Sequence, residues 1–336
     1  MNVALQVKEA LEKTHNPRIV ITTHHKPDAD ALGSSLGLYN YLKKLGYFVT
    51  VISPTDYPPF LNWMPGEEKV FNYEHHPEKC RDFALNAQVI FCLDFNNLKR
   101  INEFGEIVRQ SSAVKVMIDH HLEPEGFEDI RLWDTTASST AELVYRFIVD
   151  FAGVDYIDKD IASCLYAGIM TDTGSFRFDI VKPQTHRIAA DLLEKGVEHS
   201  KIHNHIFDSF TANRWKFVGY MLSNKMEVLE DLKTVLITVS ADELKEFNIK
   251  TGDTEGLVNF GLSIKGIELA VLIVDRTVLV KMSFRGKGHF PANKFAREFF
   301  EGGGHFSAAG GQSRLSLEET VEKFKKAIVT YKEYLT

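Results

Sequence analysis

Acidic and histidine side chains follow several short apolar segments of the chain, at positions where they could bind metal ions together. Four segments supply the candidate ligands: His24, Asp28 and Asp30 in the first, Asp94 in the second, Asp119, His120 and His121 in the third, and Asp172 in the fourth. Carboxylates and imidazoles without a thiolate suit Mn²⁺ or Mg²⁺, and the imidazoles favour Mn²⁺. Two such ions roughly 3.5–4 Å apart activate water and hold phosphate oxygens. The pattern therefore predicts a two-metal site for phosphoester hydrolysis.

These residues also have ordinary structural interpretations. Asp28 and Asp30 precede a helical pattern, and Asp is a favoured N-cap residue. An Asp after a strand is often a turn residue, and the pair His75-His76 is interpreted as a solvent-exposed loop. A metal site is favoured because four separate segments each supply candidate ligands. In addition, so many carboxylates in one crevice would repel one another unless cations neutralised them.

Short apolar strands separated by helices must position the candidate ligands. The predicted strands are 18–23, 48–52, 89–93 and 114–118, and the predicted helices are 3–11, 30–45, a helix capped by Ser138 or Ser139 that runs through Phe151, and 161–170. This alternation is typical of an α/β fold with a doubly wound, mostly parallel sheet. Ligand sites in such sheets form beyond the carboxyl ends of the strands. We therefore expect His24, Asp94 and Asp119 at one edge, with Asp172 reaching the same crevice.

The second half of the chain has a different pattern. Residues 185–226 are helical and rich in charge, and they are followed by predicted strands at 234–239, 269–274 and 278–284, with a hairpin at 275–277. Predicted helices at 292–300 and 317–331 complete a smaller α/β domain. The predicted organisation is an N-terminal domain at 1–184 that contains the candidate ligands, a helical connector at 185–226 and a second domain at 227–336.

The glycine-rich segment 302–311 is the second chemical signal. Its Gly-Gly-Gly-His305 run follows the basic stretch 285–289. Consecutive glycines allow backbone N–H groups to approach an anion closely, although a glycine run can also be a flexible turn. The combination predicts a clamp for a phosphate or a nucleotide.

Composition narrows the classes of protein. The 44% hydrophobic and 25% charged residues are those of a globular protein with a core, and the formal charge of −7 argues against a protein that coats long nucleic acid. The three cysteines are scattered, which fits a reducing compartment. Without a signal-peptide pattern or a long apolar run, the chain is predicted to be cytoplasmic and free of membrane spans.

Together these motifs resemble the DHH/DHHA1 phosphoesterases over essentially the whole chain. The resemblance rests on His24-x-x-Pro27-Asp28-x-Asp30, Asp94, Asp119-His120-His121, Thr171-Asp172-Thr173-Gly174, Ser283-Phe284-Arg285 and Gly302-Gly303-Gly304-His305. It implies one metal held by His24, Asp28, Asp94 and Asp172, and another held by Asp30, Asp94, His120 and Asp172. It also implies that His121 contacts the scissile phosphate and that Asp119 supports the His pair or the attacking water. Arg285, Gly303, Gly304 and His305 would hold the far phosphate or the base. The resemblance thus implies a catalytic domain at 1–184 and a substrate-binding domain at 227–336, with the active site in the cleft between them.

Two departures from the family pattern, Glu301 and Gly286, affect the clamp and no metal ligand. The bare two-domain length is most similar to the nano-RNase (oligoribonuclease) and pAp phosphatase branch of the family. That branch implies hydrolysis of RNA of roughly two to five nucleotides to mononucleotides, and of 3′-phosphoadenosine 5′-phosphate (pAp) to AMP. The alternatives are a dedicated phosphodiesterase for linear pApA or pGpG and a nucleotide-binding sensor with low turnover. The sequence leaves open whether the protein is a monomer or a homodimer.

Overall fold

The computed structural model describes residues 2–250 and 252–335, which form two compact units. The first unit is Met1–Ser209 and the second is Phe210–Thr336. The boundary between them falls inside the predicted connector 185–226.

A six-stranded parallel sheet forms the centre of the first unit. Its strands are β1 (Arg18–Thr23), β2 (Phe48–Ser53), β3 (Val70–Asn72), β4 (Val89–Leu93), β5 (Val114–Asp119) and β6 (Ile130–Trp133). The spatial order is β3-β2-β1-β4-β5-β6, and every neighbouring pair is parallel. The predicted doubly wound α/β architecture is therefore confirmed. The two edge strands, β3 and β6, were not predicted, because they are too short to give a clear apolar run.

Helices cover both faces of this sheet. They are α1 (Val3–Glu12), α2 (Ala29–Lys44), α3 (Pro77–Leu85), α4 (Phe104–Gln110), α5 (Thr140–Ala152), α6 (Lys159–Asp172), α7 (Pro183–Glu194) and α8 (His199–Phe207). One apolar core contains α1, α2, α5 and α6, and a second core contains α3 and α4. Because both faces are covered, β4 is buried at every position, as its uninterrupted apolar sequence predicts.

The close approach of α2 to α6 depends on small residues. A Cβ atom at Gly33 would lie 2.5 Å from the Cys164 carbonyl oxygen. A Cβ atom at Gly168 would lie 2.7 Å from Asp30 Oδ1. Such distances are shorter than van der Waals contact, so a larger side chain would push the helices apart. The glycines therefore set the positions of two helix ends that carry candidate ligands, Asp30 and Asp172.

The second unit has its own sheet, with strand order β11-β12-β10-β9-β8-β7. These strands are β7 (Met226–Leu229), β8 (Thr234–Val239), β9 (Leu269–Asp275), β10 (Val280–Gly286), β11 (Gly303–Gly304) and β12 (Ala308–Ser313). The helices are α9 (Ala212–Tyr220), α10 (Ala241–Glu246), α11 (Asn259–Leu262), α12 (Ala292–Phe299) and α13 (Leu317–Val329). The pair β8–β9 is parallel and the other pairs are antiparallel. Phenylalanine side chains from β10, α12 and α13 pack together in its core.

Several local predictions need correction in this unit. The predicted strand 278–284 begins two residues later, because Val278 belongs to the hairpin turn and is 89% exposed. The glycine-rich segment contributes β11 and β12 in addition to a turn, and β7 was missed. The predicted connector 185–226 contains most of α7, all of α8 and α9, and a π-helical turn at Met221–Lys225, and its last residue, Met226, begins β7. In the part of the chain that the structure describes, no helix is long and apolar enough to cross a membrane.

Candidate active site

The carboxyl ends of β1, β4 and β5 lie side by side in the first sheet. His24 follows β1, Asp94 follows β4, and Asp119 is the last residue of β5. The winding of the sheet changes direction between β1 and β4, and open α/β sheets bind ligands at such a position. The three segments meet at the edge where the sequence analysis placed them.

Besides the group Asp94, Asp119 and His121, two groups of side chains at this edge have ligand atoms close enough to share a cation. In each group the atoms lie within 4.8 Å of one another. The first group is His24, Asp28 and Asp94, and the second is Asp30, His120 and Asp172. Neither contains a thiolate, so both suit hard divalent ions with some preference for Mn²⁺. The residues present therefore fit the metal site that the sequence predicts.

His120 has the most crowded carboxylate surroundings. Its Nε2 atom lies 3.4 Å from Asp172 Oδ2, 3.6 Å from Asp94 Oδ1 and 3.9 Å from Asp30 Oδ2. These separations are longer than direct hydrogen bonds. Neighbouring ligands of one octahedral ion, each about 2.1 Å from it, lie about 3 Å apart. The distances from His120 Nε2 to the three carboxylates are therefore typical of ligands around one ion rather than of direct hydrogen bonds.

The sequence left open whether Asp28 and Asp30 cap α2 or bind a metal ion, and the structure shows different contacts for the two side chains. Asp28 is the N-cap of α2, and its Oδ1 atom accepts hydrogen bonds from the backbone N–H groups of Asp30 and Ala31, both at 3.0 Å. Asp30 is fully buried and accepts from the backbone N–H groups of Thr140 and Ala141 at 2.7 and 2.9 Å. Those groups begin α5, where the helix dipole favours a negative charge. A carboxylate from α2 is thus fixed by a helix 110 residues later.

Asp94 is held in an uncommon backbone conformation. Its φ angle is +64°, in the left-handed region, which costs about 1–3 kcal/mol for a residue with a side chain. Its N–H group donates to the Ile118 carbonyl at 3.1 Å, and its Oδ1 atom accepts from the Thr140 hydroxyl at 2.8 Å. Thr140 was not among the predicted site residues, because the Ser138-Ser139 pattern indicated only a helix cap.

Asp119 and His121 form a buried pair. Asp119 Oδ1 and His121 Nδ1 are 2.7 Å apart, and Asp119 is completely buried. An ionised carboxylate can only accept, so it selects the imidazole tautomer that carries the proton on Nδ1. That tautomer leaves Nε2 for a different partner. The pair can therefore orient an imidazole toward a substrate oxygen.

Burial sets the protonation of this cluster. Burial, followed by repulsion from neighbouring carboxylates, raises the pKa of Asp30 and of Asp94 well above the usual range. Burial also lowers the pKa of His24, His120 and His121, most strongly for His121. Neutral imidazoles are metal ligands, and bound cations would favour the ionised carboxylates. The cluster thus has a strong electrostatic reason to bind positive charge.

Arg100 is a charged neighbour that the sequence analysis did not single out. Its positive charge adds to the burial effect that lowers the pKa of His24 and of His121. It lies in the 3₁₀ turn Leu98–Ile101, and its carbonyl oxygen accepts from the His25 N–H group at 2.7 Å. The turn after β4 is thereby tied to the segment after β1. The sequence pattern that could have indicated Arg100 is a basic residue six positions after Asp94.

The predicted clamp residues lie on β10, on β11 and in the turn after β11, and β12 separates the two strands. Arg285 is in β10 and pairs with Ala308 of β12, while Gly303 and Gly304 form β11. His305 follows in a tight turn, where its N–H group donates to the Ala308 carbonyl at 2.8 Å. A Cβ atom at Gly304, whose φ is +141°, would lie 2.6 Å from the same oxygen. This glycine is therefore required by the hairpin itself, whether or not an anion binds there.

Sequence comparison identifies the two units. The model of the DHH family, N-terminal domain, matches residues 18–169, and the model of the DHHA1 domain matches residues 233–333. A relative from Thermus thermophilus, named bifunctional oligoribonuclease and PAP phosphatase NrnA, is 32% identical over 96% of this chain and 92% of its own length. The chain belongs to the DHH family.

This DHH-family protein is similar to further proteins over nearly its full length. The Bacillus subtilis protein with the same name, NrnA, is 28% identical over 87% of this chain and 88% of the relative. The crystal structure of an exopolyphosphatase-related protein from Bacteroides fragilis is 40% identical, has a TM-score of 0.94 and covers 99% of this chain and 97% of that chain. DHH-family members are phosphoesterase hydrolases, and the predicted enzyme class is confirmed.

Proposed function

We propose that this DHH-family hydrolase cleaves RNA of roughly two to five nucleotides to mononucleotides, and pAp to AMP. The main support for the proposal is that two groups of carboxylate and imidazole side chains lie at one edge of the sheet. Side chains in this arrangement can bind two cations next to a phosphate. The names of the Thermus and Bacillus relatives support the choice of substrate. The net charge of −7 also favours a short substrate over a long polyanion.

We assign the cation ligands as two overlapping sets. One set is His24, Asp28, Asp94 and Asp172, and the other is Asp30, Asp94, His120 and Asp172, with Mn²⁺ as the preferred ion and Mg²⁺ as the alternative. Two such cations supply an activated water molecule and neutralise charge on the phosphate. The 3.4 Å separation of His24 Nε2 from Asp94 Oδ2, and the 3.6 Å separation of His120 Nε2 from Asp94 Oδ1, support Asp94 as a shared ligand.

The remaining residues orient the substrate in this proposal. Asp119 fixes the orientation of His121, whose imidazole contacts the scissile phosphate. Arg285 and His305, with the backbone of Gly303 and Gly304, bind a second phosphate or the base. An arginine suits this task because its guanidinium donates two parallel hydrogen bonds to a phosphate.

A substrate panel tests the proposal directly. The protein is stripped of metal, supplied with Mn²⁺ or Mg²⁺, and incubated with pAp, pApA, pGpG, a 5-nucleotide RNA, a 24-nucleotide RNA and single-stranded DNA of the same length. We expect Mn²⁺-dependent release of mononucleotides from the short RNAs and of phosphate from pAp. Equal rates on the 24-nucleotide and dinucleotide substrates would contradict the length preference.

The same panel separates the alternative functions. Turnover of pApA or pGpG without any hydrolysis of pAp would indicate a dedicated dinucleotide phosphodiesterase. Tight binding of these nucleotides with no turnover in either metal would indicate a sensor. Metal analysis of the purified protein gives the number of ions, and we expect two per chain.

A further inference from the structure

Trp133 is an aromatic residue at the edge of the first sheet that carries the candidate ligands. It is the last residue of β6, and it pairs in register with Asp119 at the end of β5. Parallel strands end at the same edge of a sheet, so Trp133 lies beside the segment Asp119-His120-His121. The family motifs and the metal-ligand sets do not include it.

A hydrogen bond fixes the indole next to His121. Trp133 Nε1 donates to the His121 carbonyl oxygen at 2.7 Å. This bond uses the edge of the indole, and the residue as a whole keeps 40% of its surface exposed. Aromatic faces are the part of a side chain that stacks on other rings. A flat aromatic surface is thus held in a defined position beside a candidate catalytic residue.

The backbone after Trp133 is also held firmly. The Asp134 N–H group donates to the Asp119 carbonyl at 3.4 Å, which is a long hydrogen bond. The Asp134 carboxylate accepts from the Thr136 hydroxyl at 2.7 Å and from the Arg146 guanidinium at 3.0 Å. A side chain on such a support loses little conformational entropy when it binds a ligand.

The other two tryptophans have aromatic neighbours. Trp63 stacks on His205, with ring centroids 5.3 Å apart, and Trp215 lies edge-on to Phe210 at 6.5 Å. Within residues 2–250 and 252–335, no aromatic ring packs against Trp133. Trp133 is thus the more exposed tryptophan of the first unit, whereas Trp63 is half-buried against His205.

We infer that Trp133 is a stacking platform for a nucleobase of the substrate. The inference rests on the proposed function, since the ligand is the base of the nucleotide whose phosphate occupies the neighbouring cluster. A base stacked on an indole is bound without hydrogen-bond readout, because every base has a π-face. The first unit then contributes to substrate binding as well as to catalysis, and it accepts all four bases with a preference for the larger purines.

Two variants and a base-free substrate test this inference. Trp133→Leu removes both the ring and the N–H donor, whereas Trp133→Phe keeps a ring and removes only the donor. Phe48→Leu is the control, because Phe48 is 67% exposed and begins β2 at the opposite edge of the sheet. The substrates are pApA and the same dinucleotide with both bases replaced by hydrogen, and thermal unfolding checks that each variant is folded.

We expect Trp133→Leu to raise KM for pApA about tenfold, within the range that base–aromatic stacking supplies. We expect Trp133→Phe to raise it by roughly threefold at most, and neither variant to change KM for the base-free substrate. An unchanged KM for pApA in Trp133→Leu would overturn the inference while leaving the proposed function intact. A loss in Trp133→Phe as large as in Trp133→Leu would also overturn it, because Trp133 would then act through the His121 carbonyl. If the wild-type protein hydrolysed neither substrate with Mn²⁺, the proposed function would fail and this inference with it.

Discussion

The candidate residues of the two units are held in different ways. In the first unit, Asp30, Asp94 and His120 are buried, and contacts from β5 and α5 fix the two carboxylates. In the second unit, Arg285 and His305 are half-buried and lie on strands and a turn at one side of a sheet. Electrostatic catalysis needs fixed groups in a dry environment, whereas substrate binding tolerates mobile groups in contact with water. The difference predicts that changes at the buried ligands of the first unit lower kcat and that changes at Arg285 or His305 in the second unit raise KM.

The largest effect is expected for His120→Ala. It removes an imidazole that lies within 4 Å of three carboxylates, so the cluster would lose a ligand and several kcal/mol of transition-state stabilisation. We expect kcat with pAp and Mn²⁺ to fall roughly 10³-fold or more. The control is His75→Ala, since the His75 side chain is 61% exposed, and it should leave kcat unchanged. Near wild-type activity of His120→Ala would refute the ligand assignment.

Gly168→Ala tests whether the first unit needs its close helix packing. The added Cβ atom would lie 2.7 Å from Asp30 Oδ1 and 2.7 Å from the Ala141 side chain, so Asp30 must move. A displacement of a catalytic group by about 1 Å can lower the rate by about 10²-fold. Gly219→Ala is the matched control, because a Cβ atom there meets nothing within 4 Å. Steady-state kinetics of the two variants side by side should separate them, and equal activity would show that Asp30 tolerates movement.

Thr140→Val tests the hydrogen bond that supports Asp94. The substitution keeps the shape of the side chain and removes the hydroxyl that donates to Asp94 Oδ1. Partners of metal ligands typically contribute 10- to 100-fold to metal affinity or activity, and we expect a loss of about that size. The exposed Thr330→Val removes a comparable hydroxyl bond, to the Ala327 carbonyl in the second unit, and serves as the control. A Mn²⁺ titration of activity measures the effect, and superimposable titrations would exclude a supporting role for Thr140.

The smallest effect is expected for Arg285→Ala in the second unit. Loss of one charge-assisted phosphate contact should raise KM for pAp by about tenfold and change kcat less. Arg314→Ala is a control in the same unit, because the Arg314 side chain is 82% exposed and was not predicted to bind substrate. A fall in kcat at constant KM would mean that the second unit takes part in the chemical step, and the comparison between the units would then be wrong.

Local sequence patterns predicted the bounds of strands well where a strand is buried along most of its length. The apolar runs of β1, β4 and β5 gave their bounds to within one residue, and the polar residues after them marked the edge of the sheet. Patterns failed at β3, β6, β7 and β11, which are two to four residues long, and at the six-residue, glycine-containing β12. The glycine-rich β11 is a strand because it pairs with β12, and an alternating hydrophobic pattern in the sequence cannot show that pairing.

The sequence by itself determined which residue types could bind metal and at which strand ends they occur, since hydrophobic periodicity and chain order are local properties. Only the tertiary structure decided that Asp30 is held by the start of α5, that Thr140 supports Asp94, and that the Trp133 indole binds the His121 carbonyl. These contacts join Asp30 to Thr140 across 110 residues, Asp94 to Thr140 across 46, and His121 to Trp133 across 12. They depend on how helices pack over the sheet, through glycines such as Gly168 whose role appears only when the opposite helix is in place.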